Sequence, residues 1–163
     1  MDLHLRFYHP QHVPDWPAAA VAGFAAGAVM MLLEMFWSAL ASDTSPWAVS
    51  HMIAAIVMGP ATLQSTDFNL EVVAVALAAH YVLGICFGLL LAAMLMPFRL
   101  DASLGLVAVV GAVFGAVLYL MNFYVMTYFF PWFVEWRGTH TLLAHLIFGE
   151  TAALLYLELN RQL

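Results

Sequence analysis

Four separated stretches of this chain are apolar enough to cross a bilayer, and each carries a conspicuous polar side chain: Glu34, His80, Asn122 and His145. A spanning helix needs about 20 mostly apolar residues. Inside hydrocarbon every backbone N–H and C=O must be paired within the segment, so such stretches fold as helices and pack on one another. An ionisable group in hydrocarbon is unfavourable. It therefore faces a bundle interior, and it is a functional-site candidate by default. The sequence describes a small polytopic membrane protein with a polar layer inside it.

Composition supports this reading. The 163 residues are 65% hydrophobic and only 9% charged, against about 45–50% apolar and about 25% charged in soluble domains. The net charge is −6, with four Arg and no Lys. A chain without a basic patch is a poor partner for nucleic acid, and it lacks the polybasic segment that recognises acidic lipid. Cys86 is the only cysteine, which excludes an intrachain disulfide and Cys-rich metal or redox motifs; it reads as a small packing residue. Gly-x-Ser-x-Gly, phosphate-loop and dinucleotide fingerprints are all missing, so the expectation is a non-enzymatic protein. Ala39-Leu40-Ala41 resembles a signal cleavage site. The apolar run before it is too long for a signal peptide, and residues 1–16 precede it with only Arg6 positive, so it reads as a retained helix.

The expected architecture is all-α: one transmembrane domain over 1–163, a four-helix bundle with an N-terminal arm at 1–16. Pro17 opens the first span, 17–40, with Asp15 or Trp16 as cap or anchor. Asp43, Thr44 and Ser45 break it before Pro46. Residues 46–59 are apolar but too short to span, and Gly59-Pro60 ends them; they read as an interfacial or re-entrant helix. A polar loop follows. The second span is 71–96, up to Pro97, and the third is 102–130, up to Pro131-Trp132. After a loop at 131–138, the fourth span is 139–160. The two halves share Gly-x-x-x-Gly, with no further alignment read between them. Four spans put Arg6, Arg99 and Arg161 on one side and Arg137 on the other, together with Asp43, Asp67, Glu71 and Glu135. The positive-inside rule then makes both termini cytoplasmic. Trp47, Trp132 and Trp136 fall at the outer interface, as aromatic belts do.

Three helices carry Gly-x-x-x-Gly: Gly23/Gly27, Gly84/Gly88 and Gly111/Gly115. Small residues at this spacing let helices approach closely in lipid. Glu34 is seven positions after Gly27, Asn122 seven after Gly115, His80 four before Gly84 and His145 four before Gly149. Steps of four and seven stay on one helical face, so all four polar groups are expected to point inward. Depth agrees. At about 1.5 Å per residue they lie roughly 9 to 13 Å from the outer helix ends, in one layer. His51 on the short helix is placed to roof that layer. Glu150 points about 140° away from His145, toward the first helix or a partner subunit.

Several chemistries fit. Imidazoles and a carboxylate form a proton-responsive group, they ligate haem iron or a metal, or they clamp helices by hydrogen bonds. No His-x-x-x-His pair occupies one helix, so the metal pattern is unspecific. His4, His9 and His12 in the arm, His140 near Arg137, and Met30, Met31 and Met35 beside Glu34 are weaker candidates. Tyr119, Tyr124 and Tyr128 read as packing or interface residues.

The runs Met121-Asn122-Phe123, Phe130-Pro131-Trp132 and His145-Leu146-Ile147-Phe148-Gly149-Glu150, with His80 through Gly88 before them, resemble the last helices of the YagU-like bacterial inner-membrane proteins. The resemblance covers roughly residues 75–160; the segment 41–70 lacks that family's longer insertion. It implies an inner-membrane location, the bacterial plasma membrane, and a link to acid tolerance. The leading functional expectation is an inner-membrane protein whose Glu34, His80, Asn122 and His145 respond to or conduct protons or small ions. The alternative is a haem b or metal-binding accessory subunit of a respiratory or other membrane complex, with His80 and His145 as axial ligands. A third is an assembly factor without a site. The lipid bilayer is the first partner, and a homo-oligomer or a membrane complex is the second.

Overall fold

The computed structural model describes residues 13–41, 44–95 and 103–161. Its elements are α1 (Trp16–Ala41), α2 (Ala48–Met58), α3 (Leu70–Leu95), α4 (Leu104–Leu120) and α5 (Thr139–Arg161). Helices within four segments, Trp16–Leu40, Leu70–Leu95, Leu104–Tyr128 and Thr139–Asn160, are long and apolar enough to cross a membrane. The fold is an all-α membrane four-helix bundle with a short apolar helix, α2, laid against it. His4, His9, His12, Arg6, Asp43, Pro97 and Arg99 lie outside the described residues.

Local chemistry explains the helix starts. Asp15 Oδ1 accepts from the Ala18 amide at 3.0 Å. Asn69 Oδ1 accepts from Glu71 and Val72 at 2.9 and 3.2 Å, and Ser103 Oγ accepts from Leu106 at 3.2 Å. Each cap satisfies amides that a helix N-terminus leaves orphaned. Gly59, at φ 92°, ends α2, a backbone conformation glycine adopts without strain.

The third span departs from a continuous helix over 102–130. Regular α-helix stops at Leu120, a π-turn covers Met121–Val125, and 3₁₀ turns cover Met126–Tyr128 and Pro131–Trp136. The physical reason is a competing partner. Arg137 Nε donates to the Phe123 carbonyl at 2.6 Å, and the guanidinium sits 4.3 Å from the Tyr124 ring centroid. A π-turn is a one-residue widening that concentrates at functional sites. Here it contains Asn122.

At the end away from α2 the bundle is closed by an apolar core that includes Ala19, Ala22, Leu91, Val107, Tyr156 and Leu157. At the other end Met31, Val49, Ile53, Tyr119, Phe123 and Phe133 form a second cluster beneath α2. Helix α1 packs on α3 and α5, and α4 packs on α5, whereas α3 and α4 barely touch. The ring of helices is therefore open on one side.

The two hairpins also share a sequence pattern. Hairpin α1/α3 crosses at Gly23, Gly84 and Gly88, and hairpin α4/α5 crosses at Gly111, Gly115 and Gly149. With these glycines aligned, Val21, Gly23, Gly27, Ala28, Val29 and Leu32 match Val109, Gly111, Gly115, Ala116, Val117 and Leu120. Leu77, Ala79, His80, Gly84, Leu89 and Leu90 match Leu142, Ala144, His145, Gly149, Leu154 and Leu155. Glu34 matches Asn122. The first hairpin carries α2 and a 3₁₀ turn at Pro60–Gln64 in its outer connection, so no single offset aligns both helix pairs. That insertion hides the shared pattern from a linear reading.

Candidate functional site

The gap between α3 and α4 is the mouth of a cavity of about 890 Å³, lined by residues of all four spans, of α2 and of the outer turn. Leu83, Leu90 and Met94 on α3 face Val109, Val113 and Val117 on α4 across that mouth, and all six remain at least 39% exposed. From Val109 to Met121 the groove extends roughly 18 Å along α4. Helix α2 supplies Val49, Met52, Ile53 and Ile56 to its outer end, beside Phe130, Phe133 and Trp136. The Trp132 indole donates to the Met52 carbonyl at 3.3 Å and ties α2 to the outer turn.

All four expected polar residues, Glu34, His80, Asn122 and His145, line this one cavity. Glu34 and His145 are buried; His80 and Asn122 are half-buried. His145 is the most constrained. Its Nδ1 donates to the Thr141 carbonyl at 2.8 Å, which leaves Nε2 as acceptor for the Asn122 side-chain amide at 3.1 Å. The π-turn brings Asn122 into that position. Tyr119 and Phe123 stand edge-on to the ring at 5.9 and 5.5 Å. His80 is oriented differently: its Nε2 donates to the Gly27 carbonyl at 2.9 Å, so Nδ1 is the ring's acceptor. Glu34 is only 7% exposed, and its Oε1 has no hydrogen-bond partner.

The shared pattern sharpens this contrast. In the second hairpin the amide and the imidazole are joined. In the first, the matching carboxylate and imidazole make no bond to each other, and the imidazole turns to backbone instead.

Other candidates go elsewhere. His51 is buried, but its Nδ1 and Nε2 face the carbonyls of Thr62 and Asp67 at 2.7 and 2.8 Å. It fastens α2 to the loop and contributes nothing to the cavity wall. Glu150 is exposed on the outside of α5, with its backbone against Gly111, so it does not reach the layer. His140 stacks on Trp37 at 5.4 Å. Met30 and Met31 line the cavity, and Cys86 is exposed.

Among the described residues, no three His, Cys, Asp or Glu side chains gather to hold a metal ion. Bis-imidazole haem ligation does not fit the donors as they stand, because His80 spends Nε2 on Gly27 and His145 spends it on Asn122. The sequence reading missed Thr141, whose buried Oγ1 lacks a partner in the cavity wall. It also missed Trp136 as a wall residue rather than a belt residue. Thr141 lies four positions before His145, the spacing of one helical face, and that signal was legible. Comparison with family models, with curated proteins and with solved structures finds no match for this chain.

Proposed function

We propose that this protein is a non-enzymatic, multi-pass protein of the bacterial inner membrane. It takes an amphipathic small molecule from the bilayer into the groove between α3 and α4 and holds its polar head at Glu34, His80, Asn122, His145 and Thr141. The observation that carries the reading is the coincidence of a drug-sized apolar cavity with two orphaned, buried oxygens, Glu34 Oε1 and Thr141 Oγ1, in its wall. Apolar pockets with a few convergent polar groups are the usual form of small-molecule sites, and unsatisfied buried polar atoms are unfavourable enough to need a partner.

Proton response enters at the same place: a proton and a ligand head are alternative partners for the Glu34 carboxyl. Conduction across the bundle is less well supported, because the packing inward of the layer is apolar. Both termini on the cytoplasmic side follow from the distribution of arginine, and a second copy of the chain is the natural neighbour for Glu150.

Native mass spectrometry of the purified chain tests the reading. A retained small-molecule adduct of one equivalent is expected, and Val113→Trp, which fills the mouth, should lose it. No adduct on the wild-type protein, or equal adducts on both, would refute it.

A further inference from the structure

Resting on the ligand-binding reading above, we infer that the head group the cavity takes is a protonated organic amine, a single positive charge bearing N–H donors on an apolar body. Glu34 is the one carboxyl among the described wall residues, and its Oε1 has no partner. His80 presents Nδ1 as a further acceptor once Nε2 is spent on Gly27. The Thr141 hydroxyl, also unpartnered, can accept or donate beside them. Among the described residues the wall carries no Arg, Lys or Asp, so an anionic head lacks a counter-charge there, and Glu34 opposes it.

The charge is also single. The matching position on the second hairpin is neutral Asn122, already bonded to His145, so one carboxylate serves one cation. An inorganic ion is a poor fit, because hard cations take about six or more oxygen ligands, far beyond what this wall supplies. The remaining lining is aliphatic and aromatic, with Phe114, Phe123, Phe148 and Trp136 among it. Such walls suit an apolar body, and aromatic faces attract a positive charge.

Three probes with one rigid body separate head-group chemistry from cavity filling: 1-adamantylammonium, 1-adamantanol and adamantane-1-carboxylate. Binding to the full chain in mild detergent is measured by isothermal titration calorimetry. Wild type should bind the ammonium probe about tenfold or more tighter than the other two, as a charge-assisted hydrogen bond implies. Glu34→Gln should erase that preference and still bind the alcohol. Glu34→Asp, which keeps the charge, should retain part of it; a melting curve shows whether each variant is folded. Ammonium affinity should fall with pH as protons compete for the carboxyl; His80 on α3 and His145 on α5 are the other titratable groups on the wall, and α2 and α4 supply none.

Equal binding of all three probes by wild type, with Val113→Trp weakening them all, would overturn the amine inference and leave the ligand site standing. An unchanged preference in folded Glu34→Gln would also overturn it. No binding of any probe, or binding indifferent to Val113→Trp, would overturn both.

Discussion

Gly23 and Gly27 are the two ends of one motif, and alanine should affect them in opposite directions. A methyl group on Gly23 would fall on the Gly84 carbonyl oxygen and 2.9 Å from Gly88 Cα, inside the 3.4 Å at which ordinary contact begins. Both obstacles are backbone, so no side chain can swing aside. Relief requires α1 to move off α3, which loosens contacts along a tightly packed interface. Overpacking of this kind costs about 1–3 kcal/mol, offset by up to about 1 kcal/mol from alanine's better helix propensity. A methyl group on Gly27 meets nothing closer than His80 Nε2 at 3.7 Å, so only the propensity gain remains. The propensity gain is common to both variants, so Gly23→Ala should melt below Gly27→Ala by the overpacking cost of about 1–3 kcal/mol. For a chain of this size that is roughly 2–12 °C, read by tryptophan fluorescence during heating in mild detergent. Equal melting temperatures, or a lower one for Gly27→Ala, would show that the close approach of α1 and α3 is misplaced.

The second hairpin should behave alike: Gly111→Ala, whose methyl would meet the Gly149 carbonyl at 2.5 Å, is expected to lower the melting temperature, while Gly105→Ala, which meets nothing within 4 Å, leaves it within error. Asn122→Ala removes the 3.1 Å bond to His145 and should cost about 1 kcal/mol in the same melting assay; no loss would mean that the pair is not formed. Trp132→Phe keeps the ring but loses the indole bond to Met52. Hydrogen exchange should then rise over Ala48–Met58 and stay unchanged in α5, and uniform protection in both proteins would refute α2's dependence on that bond.

The spans were legible because hydropathy and proline or glycine punctuation act locally. Pro46, Gly59 and Pro97 bound segments whether or not anything packs on them. The inward direction of Glu34, Asn122, His80 and His145 was legible for a similar reason, since steps of four and seven are properties of one helix. What escaped the sequence was set between helices. Whether Asn122 reaches His145 depends on a π-turn held by Arg137, which lies beyond the helix it distorts. His51 carries the same residue type as His80 and His145, yet its ring nitrogens were claimed by carbonyls of the next loop, and nothing in its own helix announces that. Glu150 shows the converse: its angle from His145 was read correctly, and that angle places it outside.

The groove itself has no local signature at all, because it is a missing contact. Helices α3 and α4 are joined through the segment 96–102 and still stand apart, since α3 is drawn to α1 and α4 to α5 by two sets of glycines that leave no room for side chains. Each hairpin buries its own small residues, and the contact of α1 with α5 is the main one that joins the two. Two hairpins of this kind leave a space at their seam and bring His80 and His145, with Glu34 and Asn122 at matching positions, to its wall. In one copy the amide and the imidazole are joined, Asn122 to His145, although Thr141 Oγ1 on the same hairpin has no partner. The other copy retains a carboxylate at Glu34 and turns His80 toward the Gly27 carbonyl, so its acceptors stay unmatched in apolar surroundings. An unmatched acceptor beside a groove that opens to lipid is stable only if a proton or a donor arrives to fill it, which is why the asymmetry between two otherwise equivalent hairpins is the strongest physical argument that this layer binds something.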